Sequence, residues 1–185
     1  MRIAAAISLI GLSAIIAVGC QSAREPETGA TDPVRLARIL PTPAGLGLAE
    51  AVPAGSAAAR ALARAFGDPA ARGSLEASGL QRGAVREWTG PNGRRLVVAV
   101  SVWNGPQAAQ LVNAAAAERV LGQPGARAWT PEEVRASRGV LSPGVKTLSL
   151  AIDQTGTFIR SDGPVPESVL IRLAELVVTT LKAGT

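Results

Sequence analysis

The stretch GAVREWTGPNGRRLVVAVSVW, residues 83–103, is the most informative part of the chain for the fold. Two runs rich in β-branched and aromatic residues, 83–89 and 94–103, flank the turn-forming letters GPNG. Asn-Gly between two such runs is a strong signal for a β-hairpin. The letters NGP follow, and they predict the start of a helix that runs to about Leu121. The segment therefore predicts a hairpin-helix, or ββα, module.

A second segment near the carboxyl end repeats this order of elements. Runs 146–152 and 157–161 flank the letters DQTG, and the letters DGP then open a helix that we expect to reach about Lys182. The repetition predicts an α+β fold. We expect an antiparallel sheet of about four strands, built from two ββα modules, with the helices packed on one face.

The first residues of the chain have the organisation of an export signal. After Met1 and Arg2, the chain carries no charge from Ile3 to Ala23. A basic start, an apolar run and small residues at its end are typical of a secretory signal peptide. The single cysteine of the chain, Cys20, directly follows the small and apolar letters AVG.

This arrangement resembles the lipobox of bacterial lipoproteins, although Ala17 stands where leucine is usual. In that family the cysteine thiol carries diacylglycerol, the signal is cut before the cysteine, and the new amino terminus often receives a fatty acid such as palmitate. The resemblance implies a signal peptide over 1–19, lipidation of Cys20 and a membrane-bound, extracytoplasmic protein. An uncleaved transmembrane anchor is one alternative, because the uncharged run is just long enough to span a bilayer; a secreted soluble protein is another.

The rest of the chain divides into a tether and one domain. Residues 20–32, which begin with the lipidated cysteine, are polar and hold almost nothing to bury, so we expect a disordered tether. Residues 33–185 have the size of a single domain, which we expect to be the α+β unit. Pro33 directly after Asp32 predicts a short helix at its start, running to Leu40.

Composition excludes several kinds of chemistry. The 185 residues contain no histidine and one cysteine, which rules out Ser-His-Asp catalysis, histidine-ligated zinc, an internal disulfide and a cysteine-cluster metal site. The sequence also contains no P-loop, nucleophile-elbow or dinucleotide fingerprint. We therefore expect no catalytic residues, no metal and no cofactor. Enzymes that need no histidine, such as glycosidases and Ser-Lys hydrolases, stay open as an alternative.

The first hairpin carries the candidate binding residues. If Trp88 lies opposite Arg95 or Val97, alternation places two tryptophans and two arginines on one sheet face: Arg86, Trp88, Arg95 and Trp103. Such a face can stack on, or pair with, an anionic or ring-shaped ligand or a partner protein. The alternative is that both tryptophans pack under the N-terminal loop with arginine stems laid over them.

Charge suggests a further partner. The chain has 19 basic and 14 acidic residues, and the excess of arginine lies mostly in residues 33–95, next to the tether. Anionic lipid headgroups attract such a surface, whereas the expected compartment argues against nucleic acid. We therefore expect a lipid-anchored extracytoplasmic binding or interaction domain of the cell envelope. It would contact the membrane through Cys20 and would bind an envelope protein or a small ligand. An accessory subunit held by an uncleaved anchor is the alternative.

Overall fold

The computed structural model describes residues 32–183. The helices and strands, in chain order, are α1 (Pro33–Ile39), β1 (Ala49–Ser56), α2 (Ala59–Ala65), α3 (Arg72–Ala77), β2 (Leu80–Thr89), β3 (Arg95–Trp103), α4 (Pro106–Leu121), β4 (Arg127–Trp129), β5 (Ser137–Ser142), β6 (Val145–Ile152), β7 (Thr155–Asp162) and α5 (Glu167–Ala183). The expected signal peptide over 1–19, the lipidation site Cys20 and nearly all of the tether over 20–32 lie outside the described residues. Within residues 32–183, no helix is long and apolar enough to cross a bilayer.

One antiparallel sheet of seven strands, in the order β1-β2-β3-β7-β6-β5-β4, forms the centre of the fold. The expected sheet of about four strands is therefore wrong, although the fold is still α+β. The hairpins β2–β3 and β6–β7 are both present and meet along β3 and β7. The sequence did not predict the three outer strands, because β1 contains Pro53, β4 has only 3 residues and β5 begins with the letters SRG.

Helices cover both faces of the sheet, so the expectation that they pack on one face is also wrong. On one face, α1 and α5 contribute to a core with Leu96, Val98 and Ile159. On the other face, α2, α3 and α4 pack against Val97, Ala99 and Phe158. Consecutive residues of β3 are buried on alternate sides, and such a continuous apolar run is typical of a strand covered on both faces.

The register of the first hairpin differs by one residue from the expected register. Trp88 pairs with Leu96, and Thr89 pairs with Arg95. The turn between the strands contains a 3₁₀ segment at Pro91–Gly93, closed by a hydrogen bond from Gly90 N to Arg94 O of 2.9 Å. Because side chains alternate along a strand, a shift of one residue moves every side chain of one strand to the opposite face relative to its partner.

Helix α1 is the expected N-terminal helix. The Asp32 side chain accepts a hydrogen bond from Val34 N at 3.0 Å, and Pro33 follows at the first helical position. Leu36 and Leu40 are buried against the sheet. The cap and the buried face together explain why such a short helix forms here.

Candidate functional site

The four predicted binding residues do not share a face. Arg86 and Trp88 lie on the α1/α5 face, because they pair with Val98 and Leu96. Arg95 and Trp103 lie on the opposite face with α2 and α4. The prediction of one platform with two tryptophans and two arginines is therefore wrong, and the one-residue shift in register is its cause.

Arg86 and Trp88 fix the loop that follows α1. The Arg86 guanidinium donates to the carbonyl oxygens of Arg38 at 3.0 Å and of Leu40, and its carbon lies 4.7 Å from the centre of the Trp88 ring. Trp88 is completely buried, and its Nε1 donates to Thr42 Oγ1 at 3.0 Å. For this pair the alternative interpretation is correct, because the tryptophan packs under the N-terminal loop with the arginine over it.

Trp103 is a core residue of the other face. It is fully buried, and its Nε1 donates to Ser101 Oγ at 2.9 Å. It belongs to the cluster beneath α4 rather than lying under the N-terminal loop. Its indole is therefore already partnered and has no exposed surface on which a ligand could stack.

Among the four predicted binding residues, Arg95 borders an open cavity, which is described below. Its guanidinium donates to both oxygens of Glu87, at 2.6 and 3.0 Å, and to Asp162 at 3.2 Å. Asp162 also pairs with Arg160 at 3.0 Å. The hydrogen bond with Glu87 raises the pKa of Arg95, so its guanidinium stays charged throughout the physiological pH range. These four residues form a half-buried ionic network at one end of the sheet.

A cavity of about 410 Å³ lies between α2 and the strands β1 to β3. We call this cavity the α2 groove. Its lining residues are Val52, Pro53, Gly55, Ser56, Ala57, Ala61, Arg64, Ala65, Val85, Glu87, Arg95 and Val97. The walls are mainly apolar, and charged groups are confined to Arg64 and to the Glu87–Arg95 pair.

Arg64 is the charged group of the α2 groove that is open to a ligand. Its side chain is exposed, and its guanidinium makes no hydrogen bond or ion pair with any residue in the described range 32–183. Arg95, in contrast, has carboxylates on both sides. The groove can therefore hold an apolar body against its valines while Arg64 pairs with an anionic group.

Most of the α2 groove could not be predicted from the sequence, for a physical reason. Val52 and Pro53 come from a strand that the sequence did not predict, and they reach Arg64 only because β1 pairs with β2. Arg60 and Arg64 stand four residues apart on α2. The spacing does not indicate which of the two arginines faces a cavity.

Other kinds of site are not found in the part of the chain that the structure describes. No group of three or more His, Cys, Asp or Glu residues in 32–183 could hold a metal ion. The large apolar side chains with most exposure are Ile39, Val52 and Leu111, and they belong to three separate elements. Single exposed apolar residues are normal on the surface of a folded domain, so these three residues do not indicate a binding site.

Comparison with known proteins gives little further information. No family model matches the chain, and no curated protein matches it significantly. A solved structure that resembles it is the extracellular domain of PknH from Mycobacterium tuberculosis. That match has 9% sequence identity and a TM-score of 0.46, and it covers 74% of this chain and 86% of the other. At this TM-score and identity, the likeness assigns neither a family nor a function to the chain.

Proposed function

We propose that this chain is a lipid-anchored, extracytoplasmic binding domain of the bacterial cell envelope, and that the α2 groove is its ligand site. The observation that carries the binding role is an apolar cavity between helix and sheet whose wall includes Arg64, an arginine that pairs with no residue in 32–183. The small residues before Cys20 support the anchor and the compartment. The anchor keeps the domain at the membrane surface, and the groove selects the ligand.

The lining of the α2 groove defines the class of ligand. A volume of about 410 Å³ lies within the range of small-molecule sites. Val52, Val85 and Val97 offer apolar contact, and Arg64 offers a charged hydrogen bond to a carboxylate or phosphate. The ligand is therefore a small amphiphile with one anionic group.

Decanoate is a suitable probe for this proposal. Its binding can be measured by calorimetry on a chain that begins at Gln21 and needs no detergent. We expect saturable binding, and we expect Arg64→Gln to weaken it by about tenfold, since a charged hydrogen bond is lost. Arg60→Gln is the matched control, because Arg60 lies on the same helix and does not line the groove.

Two results would contradict the groove as the ligand site. One is that decanoate and uncharged decanol bind equally well, which would leave Arg64 without a role. The other is that decanoate fails to bind at millimolar concentration, while the protein is folded by circular dichroism. Equal effects of the Arg60 and Arg64 substitutions would point to general surface charge rather than to the groove.

The end of the domain nearest the tether supports a second contact, with anionic lipid headgroups. Asp32 and Pro33, where the described chain begins, border a cavity together with Ala57 and Arg82. Arg35 lies in the first turn of α1 at the same end and is exposed, as Arg82 is. Each basic residue near an anionic membrane contributes about 1 kcal/mol of attraction. We therefore place this end of the domain against the bilayer.

Vesicle flotation tests this orientation without the lipid anchor. The chain that begins at Gln21, with no Cys20, should bind phosphatidylglycerol vesicles at low salt and should not bind phosphatidylcholine vesicles. The double variant Arg35→Gln/Arg82→Gln should bind more weakly, whereas Arg127→Gln, an exposed arginine of β4, should not. Absence of binding at low salt would remove lipid headgroups as a partner.

A further inference from the structure

Glu87 carries a carboxylate in the middle of the apolar wall of the α2 groove. Val52 of β1 and Val97 of β3 are its direct neighbours, because both pair with Glu87 in the sheet. All three residues line the groove. The Glu87 side chain is only 18% exposed, so its charge has lost much of its contact with water and needs a cation as its partner.

Arg95 is the partner of this carboxylate. It pairs with Thr89, two residues after Glu87 on β2, so the side chains of Glu87 and Arg95 are diagonal neighbours on one face of the sheet. Arg95 Nε donates to Glu87 Oε1 at 2.6 Å, and Arg95 Nη2 donates to Oε2 at 3.0 Å. Within residues 32–183, the Glu87 carboxylate has no other hydrogen-bond or ion-pair partner. Its neutralisation therefore depends on Arg95.

The charge that a ligand meets in the α2 groove depends on this pair. The charged residues of the lining are Arg64, Arg95 and Glu87, which together carry one positive charge. Without Arg95 their sum falls to zero, and the Glu87 carboxylate faces the ligand from between two valines. A carboxylate on the ligand would then be repelled by a like charge in the same cavity, so an anionic ligand would lose its advantage over an uncharged one.

We infer that Arg95 determines the charge preference of the α2 groove by neutralising Glu87. This role rests on the groove being the ligand site proposed above, and it assigns the residue that makes the site prefer an anion. Arg95 acts through Glu87 rather than through contact with the ligand, so it is a positioning residue. Arg64 supplies the attraction for the anion, and Arg95 removes the repulsion.

The test compares decanoate with uncharged decanol on the full chain extracted from membranes. The methyl signals of Val97 in a two-dimensional NMR spectrum report binding, because Val97 lines the groove. Val98, the next residue of β3, packs on the opposite face of the sheet and is the internal control. We call the ratio of the decanol dissociation constant to the decanoate dissociation constant the anion preference. Partition of each probe into detergent is the same for every variant, so it cancels when the variants are compared.

Arg95→Met should lower the anion preference by about tenfold and change the decanol dissociation constant by less than about twofold. A purely structural loss would weaken the binding of both probes equally and leave the ratio unchanged. Glu87→Gln/Arg95→Met should restore the anion preference to within about twofold of the unsubstituted value, because the carboxylate is removed together with its cation.

Arg160→Met is the matched control. Arg160 belongs to the same ionic network, pairs with Asp162 at 3.0 Å and does not line the groove. Its loss exposes no carboxylate to the ligand, because Asp162 is also outside the lining and still pairs with Arg95. The anion preference of this variant should therefore change by less than about threefold.

Glu87→Gln alone tests the same role if Arg95→Met does not fold, because this variant retains the contact of Arg95 with Asp162. Its anion preference should rise by at least about threefold. The role of Arg95 is overturned if Arg95→Met keeps the unsubstituted ratio, if the double variant fails to restore it, or if Glu87→Gln leaves it unchanged. If the unsubstituted chain itself shows no anion preference, the proposed ligand site fails, and the role of Arg95 fails with it.

Discussion

Replacement of Arg86 by methionine tests the role that the structure gives this residue. The last carbonyl groups of a helix have no partner within the helix. Here the Arg86 guanidinium donates hydrogen bonds to the carbonyl oxygens of Ala37, at 3.3 Å, and of Leu40. Both hydrogen bonds are partly buried. The Arg38 carbonyl is exposed, so water can replace the arginine there. The Arg86 side chain is itself only 12% exposed.

The size of the effect follows from these contacts. Each buried carbonyl that loses a charged donor costs about 1.5–3 kcal/mol. The stacking of Arg86 on the Trp88 ring adds about 1 kcal/mol. Methionine retains much of the apolar packing, and the Ala37 contact is long, at 3.3 Å, so we take the lower end of this sum. The expected loss in the free energy of unfolding is about 4 kcal/mol. For a domain of this size, the unfolding midpoint should fall by roughly 8–16 °C.

Urea unfolding, followed by tryptophan fluorescence on the chain that begins at Gln21, measures this loss. Arg86→Lys keeps the charge but not the planar fork, so it should lose about half as much. Arg38→Met is the control on α1, and it should change stability by less than about 0.5 kcal/mol because Arg38 is exposed. If Arg86→Met costs less than about 1 kcal/mol, the guanidinium does not hold the loop.

Two further predictions concern glycines. Gly156→Ala should destabilise the fold by about 1–3 kcal/mol, because its Cβ overlaps the Asn113 amide. In an Asn113→Ala background a double-mutant cycle should show a smaller cost, because the overlap with the amide is gone while the 3.0 Å approach to Ser101 Oγ stays. An unchanged cost would mean that the Asn113 amide does not cause it. Gly163→Ala should cost more than Gly144→Ala. Both have positive φ, but a Cβ at Gly163 lies 2.8 Å from Gly93 O, whereas nothing lies within 4 Å at Gly144. Equal unfolding midpoints of these two variants would contradict the close approach of the loops.

The sequence predicted the elements that carry strong local signals. The letters GPNG and DQTG, each between apolar runs, indicated both hairpins, and Asp32 with Pro33 indicated α1. The outer strands have no comparable signal, because their pairing depends on contacts far apart in the chain. For example, β5 pairs with β4 and β6 although half of its residues have polar side chains.

The candidate site was harder to predict than the fold, because it depends on register. A turn longer by one residue than expected moved Arg86 and Trp88 to the opposite face from Arg95. The alternation of side chains between the two faces of each strand was predicted correctly, but the register between β2 and β3 was not. Arg64 and Asn113 have no sequence signal of their own. Within residues 32–183 neither the Arg64 guanidinium nor Asn113 Oδ1 has a partner, and only the packed structure shows it.

The intact mass of the protein extracted from bacterial membranes tests the proposed lipid anchor most directly, beside a Cys20→Ala variant. We predict a mass that corresponds to a chain beginning at Cys20 with a diacylglyceryl group added, and further acylation adds fatty-acid increments. The Cys20→Ala variant should lack the lipid mass and should leave the membrane fraction on washing. An unmodified full-length mass would contradict the lipid anchor. The first residues would then be an uncleaved anchor, and Cys20 would carry no lipid.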